Sequence, residues 1–189
     1  MSQGKILIFS APSGAGKTTI VKHLLGINKC FTFSISATTR LKRLNEVHGK
    51  DYYFLSREDF LEKIGQQAFV EYEQVYEDIY YGTLKKEIQR IWDEEKHVLV
   101  DVDVKGGLNL KKQYGERALA VFVKPPNIAT LENRLRQRKT ESEEKLRERI
   151  SKAEEEMAFE KFFDLILIND SLEKALEEAE TIVNQFIST

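Results

Sequence analysis

Residues 11–18 read Ala-Pro-Ser-Gly-Ala-Gly-Lys-Thr, one serine after the apolar run Ile6-Leu7-Ile8-Phe9. Glycines at 14 and 16 let the backbone turn tightly and bring N–H groups close to phosphate oxygens. A helix beginning near Lys17 would point its positive dipole end at the same oxygens. Lys17 adds a full charge for the β- and γ-phosphates, and the Thr18 hydroxyl can ligate Mg²⁺. The pattern Gly-x-x-x-x-Gly-Lys-[Ser/Thr] is met except at its first position, where Ala11 stands. The chemistry these residues predict is the binding of a nucleoside triphosphate.

A second group lies in the stretch Val98-Leu99-Val100-Asp101-Val102-Asp103-Val104-Lys105-Gly106-Gly107. On an extended strand Val100, Val102 and Val104 would share one face, and Asp101 and Asp103 the other. Carboxylates at the C-terminal end of a buried parallel strand lie where α/β sheets bind ligands. Asp101 is similar to the acidic residue that follows an apolar strand in phosphate-loop enzymes and helps hold Mg²⁺. The alternative is that both carboxylates are bonded to loop N–H groups for structure alone.

Arg40 and Arg43, with Tyr52 soon after, could form a second phosphate site, because a guanidinium fork donates two parallel charge-assisted bonds. Read alone, such a basic loop is as readily a solvated one. Glu71 and Tyr80-Tyr81-Gly82-Thr83 set a carboxylate among aromatics. Arg134 and Arg138 are four apart and share a helix face. Arg149 would flank the apolar stripe of the next helix.

The elements that must position these groups are legible from periodicity. Residues 5–10, 98–104, 118–123 and 165–168 are short apolar runs of the kind that form buried parallel strands, with 31–35 as a fifth. Helices are expected over 18–25, 81–95, 128–138 (with Asn127 as N-cap), 143–159 and 172–187. Alternation of the two implies an α/β fold around a parallel sheet. Between 36 and 82 the pattern changes, and residues 52–55 and 69–72 read as strands of a small mixed β insertion. Residues 134–149 are dense in charge and read as a solvated excursion from the core.

The chain has 189 residues, enough for one domain with a sizeable core. A net charge of −2 gives no sign of a nucleic-acid or membrane partner. The single cysteine, Cys30, suits a reducing compartment, and no apolar run approaches membrane-spanning length, so a cytoplasmic location is expected. His23, His48 and His97 read as structural.

Taken in order, these residues resemble the guanylate kinase family. The resemblance rests on residues 11–18, Ser36 to Arg43, Glu46-Val47-His48-Gly49-Lys50-Asp51-Tyr52, Tyr80 to Thr83, Asp101-x-Asp103-x-x-Gly106, Arg134-Leu135-x-x-Arg138 and Ile168-Asn169-Asp170, and covers essentially the whole chain. Lys42, Asn45 and Lys139 stand where the family often has Pro, Gly and Gly. Residues 76–79 make a slightly longer approach to the Tyr-Tyr-Gly.

The resemblance implies a phosphate-loop kinase core, that is, a five-stranded parallel sheet flanked by helices, with a small mixed β GMP-binding insertion and a helical lid. Within a single domain over 1–189, the core would be 1–35, 84–126 and 160–189, the GMP-binding part near 36–83 and the lid near 127–159. The implied reaction moves the γ-phosphoryl of ATP to GMP with Mg²⁺ bound at Thr18 and, directly or through water, at Asp101.

The ATP side would comprise Ala11, Pro12, Ser13, Gly14, Ala15, Gly16, Lys17, Thr18, Thr19 and Asn169. The GMP side would comprise Ser36, Arg40, Arg43, Tyr52, Glu71, Tyr81, Gly82, Thr83 and Asp103. Lys17, Asp101, Arg134, Arg138 and Arg149 would act at the transferring group. Neither nucleic acid nor membrane is an implied partner, and the oligomeric state is open. Other readings are an inactive interaction module of the same family, against which Lys17, Thr18 and Asp101 speak, and a kinase for another nucleoside monophosphate, against which Glu71 and Ser36 speak.

Overall fold

The structure is a computed structural model and describes residues 4–76, 78–137 and 143–188. Strand β1 (Ile6–Ser10) leads through the glycine loop into helix α1 (Lys17–Ile27), and β2 (Phe31–Phe33) follows. The chain then leaves the main sheet for β3 (Ala37–Thr38), β4 (Tyr53–Phe54), α2 (Arg57–Gly65), β5 (Phe69–Tyr76) and β6 (Ile79–Leu84). It returns with α3 (Lys85–Asp93), β7 (His97–Asp101), α4 (Val104–Tyr114) and β8 (Ala118–Lys124). Helices α5 (Ile128–Gln137) and α6 (Glu143–Met157) precede the closing β9 (Leu165–Ile168) and α7 (Leu172–Ser188).

The main sheet is five-stranded and parallel, in the order β2-β7-β1-β8-β9. Strand β1 sits at its centre and every residue of it is buried. This is why the run is continuously apolar: helices cover both faces, so no position can be polar-out. Leu7 and Phe9 pack with Ile20 and Leu24 of α1 and Ala179 and Val183 of α7. Ile6 and Ile8 pack on the other face with Ile88 and Ile91 of α3 and Leu110 of α4. Strand order reverses at β1, so its C-terminal end opens into the crevice where such sheets bind ligands.

The second sheet is small and mixed, in the order β4-β3-β6-β5, and closes over Phe60 of α2 with Ala37, Phe69 and Leu84. Helices α5 and α6 pack on each other through Leu131, Leu135, Leu146 and Ala153. The charged stretch 134–149 is therefore helical where described, with a small apolar seam of its own. Asn127 caps α5 as expected, its Oδ1 accepting from the Thr130 N–H at 2.8 Å. Residues 138–142 lie outside the described residues, so Arg138 and Lys139 do as well.

Some expected boundaries move. Residues 81–84 are strand, not the start of a helix, because Tyr81 and Thr83 are paired to Thr38 and Glu71 in the second sheet. The run 98–104 stops at Asp101, since Asp103 caps α4 by accepting from the Gly106 N–H at 2.7 Å. Val104 thus opens a helix and does not share a strand face with Val100. Helices α2 and α4 had no counterpart among the expected elements.

The longer approach at 76–79 is absorbed by an irregularity in the β5–β6 ladder, between the pairs Gln74–Tyr80 and Tyr76–Ile79. Asp78 turns there with φ 58°. From Gln74 back to Glu71 the register is regular, with a second irregularity only between Phe69 and Glu71, so Tyr80 faces Phe60 (5.5 Å between ring centres) and Tyr81 faces Tyr52 (5.9 Å). Among the described residues, no helix is long and apolar enough to cross a membrane.

A methyl group at Gly107 would sit 2.3 Å from Ser10 Oγ and 3.3 Å from Ile8 Cγ2, against the central strand, whereas Gly26 in α1 faces open space. Gly107→Ala should lower unfolding free energy by about 1–3 kcal/mol through overpacking. Gly26→Ala should raise it by about 0.5–1 kcal/mol. Urea denaturation of the two variants checks both signs.

Candidate active site

The loop between β1 and α1 depends on two left-handed glycines, Gly14 at φ 93° and Gly16 at φ 96°. A side chain at Gly16 would collide with Asn169 Nδ2, 2.2 Å from the added carbon, and one at Gly14 would press on Leu135 of α5. Asn169, buried just after β9, donates its amide to the Ala15 carbonyl at 2.7 Å. Arg134 of α5 donates to the Asn169 carbonyl at 2.9 Å. The loop is thus gripped from the end of β9 and from α5. Arg134 Nη1 and Asn169 Oδ1 are buried polar atoms without a hydrogen-bond partner among the described residues.

Lys17 Nζ lies 2.5 Å from Asp101 Oδ1 and donates to the Val102 carbonyl at 2.8 Å. The Thr18 hydroxyl is 3.5 Å from Asp101 Oδ2. Two oxygens at this distance, at a helix N-terminus and a strand C-terminus, fit a hard cation that keeps water and phosphate oxygens for the rest of its shell.

A cleft of about 380 Å³ runs from this loop to the second sheet. It is lined by residues 11–19 and by Ser36, Tyr52, Glu71, Tyr81, Gly82, Asp101, Asp103 and Arg149. Most of the residues singled out in the sequence therefore meet in one place. Lys152 and Glu156 also line it; sequence reasoning missed both, although they follow Arg149 at helical spacing on α6.

Arg40, Arg43, Thr83, Arg134 and Asn169 are not brought into this lining, and Arg43 is exposed on its loop. The Arg40 guanidinium is engaged with Glu46 at 2.7 and 3.0 Å and lies over the Tyr52 ring at 5.4 Å. Glu46 also accepts from the Arg43 N–H at 2.8 Å, so it folds the loop that carries both arginines. Its hydrogen bond to Arg40 holds the Glu46 carboxyl below its ordinary range.

Glu71 is 7 % exposed, and its Oε1 accepts the Thr83 hydroxyl at 2.5 Å. Burial pushes its carboxyl up to about 7; the Thr83 bond works against this and the Asp103 charge adds to it. Glu156 is also raised, chiefly by burial and then, against the opposing pull of Lys152, by Asp103.

These features are a phosphate loop, a lysine–aspartate pair at a strand end, and a second, carboxylate-bearing pocket across one cleft. The guanylate kinase family profile matches residues 3–186. The chain belongs to the guanylate kinase family. It is 49% identical to a guanylate kinase of Porphyromonas gingivalis over 97% of this chain and 98% of that one. It is 44% identical to that of Salinibacter ruber over the full length of both. In structure it is similar to the crystal structure of guanylate kinase from Anaplasma phagocytophilum, with a TM-score of 0.76 and 28% identity over 99% of this chain and 86% of that one. A shikimate kinase from Bacteroides thetaiotaomicron, at 15% identity and a TM-score of 0.52, shares the fold alone. The family is one of nucleoside monophosphate kinases, so the five-stranded core and the small second sheet have the form the sequence implied.

The folded Glu71 carboxyl keeps its proton up to about pH 7, while the unfolded one releases it near 4.5. Between those values the folded state binds more protons, so stability falls as pH rises through this window. Glu71→Gln removes the dependence. Its stability relative to wild type should improve by on the order of 3 kcal/mol between about pH 4.5 and 8. Denaturation midpoints at the two pH values measure it.

Proposed function

We propose that this chain transfers the γ-phosphoryl of ATP to GMP, giving ADP and GDP. One observation carries the reading: the phosphate loop and the buried Glu71 carboxylate line the same cleft. A carboxylate accepts from guanine N1–H and N2–H together, whereas adenine presents an acceptor at N1. Adenine would leave the buried group unpaired, and site groups left unpaired can raise discrimination to about 10⁴. Thr83 orients the carboxylate, Ser36 adds a polar contact, and Gly82 leaves room that a side chain would take from Glu71 and Phe69. Arg40, Arg43, Tyr52 and Tyr81 hold the acceptor phosphate, and Asp103 lies between the two nucleotides.

The acceptor needs no general base, because the second pKa of a phosphate monoester is about 6 and an ionised oxygen is present at neutrality. That oxygen attacks the γ-phosphorus in line as the bond to the ADP oxygen breaks, and the protein's task is positioning and charge neutralisation. Lys17 exchanges Asp101 for the donor phosphates. Arg149, Arg134 and Arg138 meet the charge on the transferring group. Mg²⁺ carried by ATP would be held by the Thr18 hydroxyl and, through water, by Asp101, and would neutralise phosphate charge. Asn169 Oδ1 offers an acceptor to the adenine edge. Closure of α5 and α6 over the cleft would exclude water, which would otherwise accept the phosphoryl group. The lone Cys30 is consistent with a reducing compartment, and we assign the reaction to the cytoplasm.

The deciding experiment compares GMP, AMP, CMP and UMP as acceptors with ATP and Mg²⁺ in a coupled assay, and GDP formation with clear preference for GMP is expected. Lys17→Ala should lower kcat at least about a hundred- to a thousandfold while calorimetric GMP binding is unchanged. Glu71→Gln should narrow the GMP/AMP ratio of kcat/KM. In wild type GMP binding should strengthen as pH rises through about 7, where Glu71 ionises, beyond any change seen in Glu71→Gln, which shares the phosphate titration but lacks this carboxyl.

A further inference from the structure

Glu87 is the most buried carboxylate that the reaction does not use. It stands in the first turn of α3, is 1 % exposed, and gathers donors from separate parts of the chain. Oε1 accepts from the Ile35 N–H at 3.2 Å and from Arg90 Nη2 at 2.8 Å. Oε2 accepts from the Tyr53 hydroxyl at 2.9 Å and from Arg90 Nε at 3.1 Å. Burial alone would raise this carboxyl, but the bonds from Arg90, Ile35 and Tyr53 outweigh it and hold the group ionised, below its ordinary range.

The donors are placed with meaning. The chain passes from the main sheet to the second sheet at residues 34–36 and returns where β6 runs into α3. Glu87 touches both crossings: the Ile35 amide on the way out and its own helix on the way back. Its third link, Tyr53, is on β4 inside the second sheet, and the Tyr53 N–H donates to the Ser36 carbonyl at 2.9 Å. Ser36 adjoins Ile35, Tyr52 adjoins Tyr53, and Tyr81 to Thr83 lie on the strand that feeds α3. A buried charge gains little stability over a well-packed apolar residue. A satisfied network of directional bonds instead fixes one geometry.

We infer that Glu87 is a positioning residue for the acceptor half of the site: through Ile35, Tyr53 and Arg90 it sets the second sheet, and with it Ser36, Tyr52 and Tyr81, at a fixed angle to the phosphate loop. Neither Glu87 nor Tyr53 lines the cleft. The inference rests on GMP being the acceptor bound by the second sheet.

The test is steady-state kinetics of the full chain, with KM for GMP and for ATP each measured at saturation of the other. Tyr53→Phe deletes one donor and keeps the ring. Loss of one hydrogen bond to a charged group should raise KM for GMP about five- to tenfold with KM for ATP unchanged. Glu87→Gln should do the same, and adding Tyr53→Phe to it should cost far less than in wild type, because the two act through one contact. Parallel rises in both KM values would mark general loosening and overturn the inference, as would unchanged kinetics in Tyr53→Phe. Since Tyr53→Phe keeps all core packing, it decides the matter even where Glu87→Gln folds poorly. Wild type run in the same assay separates the two layers. If it forms GDP while Tyr53→Phe is silent, the acceptor assignment stands and the positioning role falls; if wild type takes no GMP, both fall.

Discussion

A phosphate loop can aim its N–H groups only if the strand behind it cannot shift. Here that strand is β1, buried on both faces and paired in parallel to β7 and β8. Everything else in the core serves that rigidity. Helices α1 and α7 press on one face, α3 and α4 on the other. The loop itself is then clasped by groups from distant parts of the chain: Asn169 on the Ala15 carbonyl and Leu135 against Gly14. Because Leu135 belongs to α5, the same helix that carries Arg134, movement of α5 and the set of the loop are mechanically joined.

Three cations of the site are already partnered within the protein. Lys17 is held by Asp101, Arg40 by Glu46, and Arg134 by backbone carbonyls. A phosphate arriving at such a site trades one acceptor for another, so the gain is the difference between a carboxylate and a multiply charged phosphate. The pairings also order these side chains in advance, which lowers the ordering cost of binding. Glu71 stands across the cleft with its carboxyl raised by burial, so a ligand that brought it a pair of donors would offset the desolvation and favour the ionised form.

Much of the core was legible in the sequence because its signals are local. Continuous apolar runs marked β1, β7, β8 and β9, although β9, an edge strand, is buried only at Leu167 and not along its length as expected; the glycine loop marked the phosphate cradle. Asp101, Tyr52, Glu71, Tyr81 and Arg149 do converge on one cleft. The misses have a common physical cause. Residues 81–84 look helix-compatible alone and become strand only through partners at Thr38 and Glu71, far away in the chain. Asp103 reads as a second strand carboxylate until its side chain is seen to cap α4. Lys152 and Glu156 read as a solvated helix face until α6 is laid against the cleft. Glu87 carries no motif at all; its donors come from Ile35 and Tyr53, which periodicity cannot bring together.

The irregularity between Gln74 and Tyr76 has a consequence for how this fold can vary. It sits at the tip of the β5–β6 ladder, where Val75 still reaches the cleft, several residues from the rung that pairs Glu71 with Thr83. An extra residue there is taken up by the turn at Asp78, and the pairing of Glu71 with Thr83 is untouched. The tip works as a slip joint: length can be added or lost at the far end without transmitting an offset to the Glu71–Thr83 rung. Insertions and deletions in lineages of this family should therefore collect at such tips.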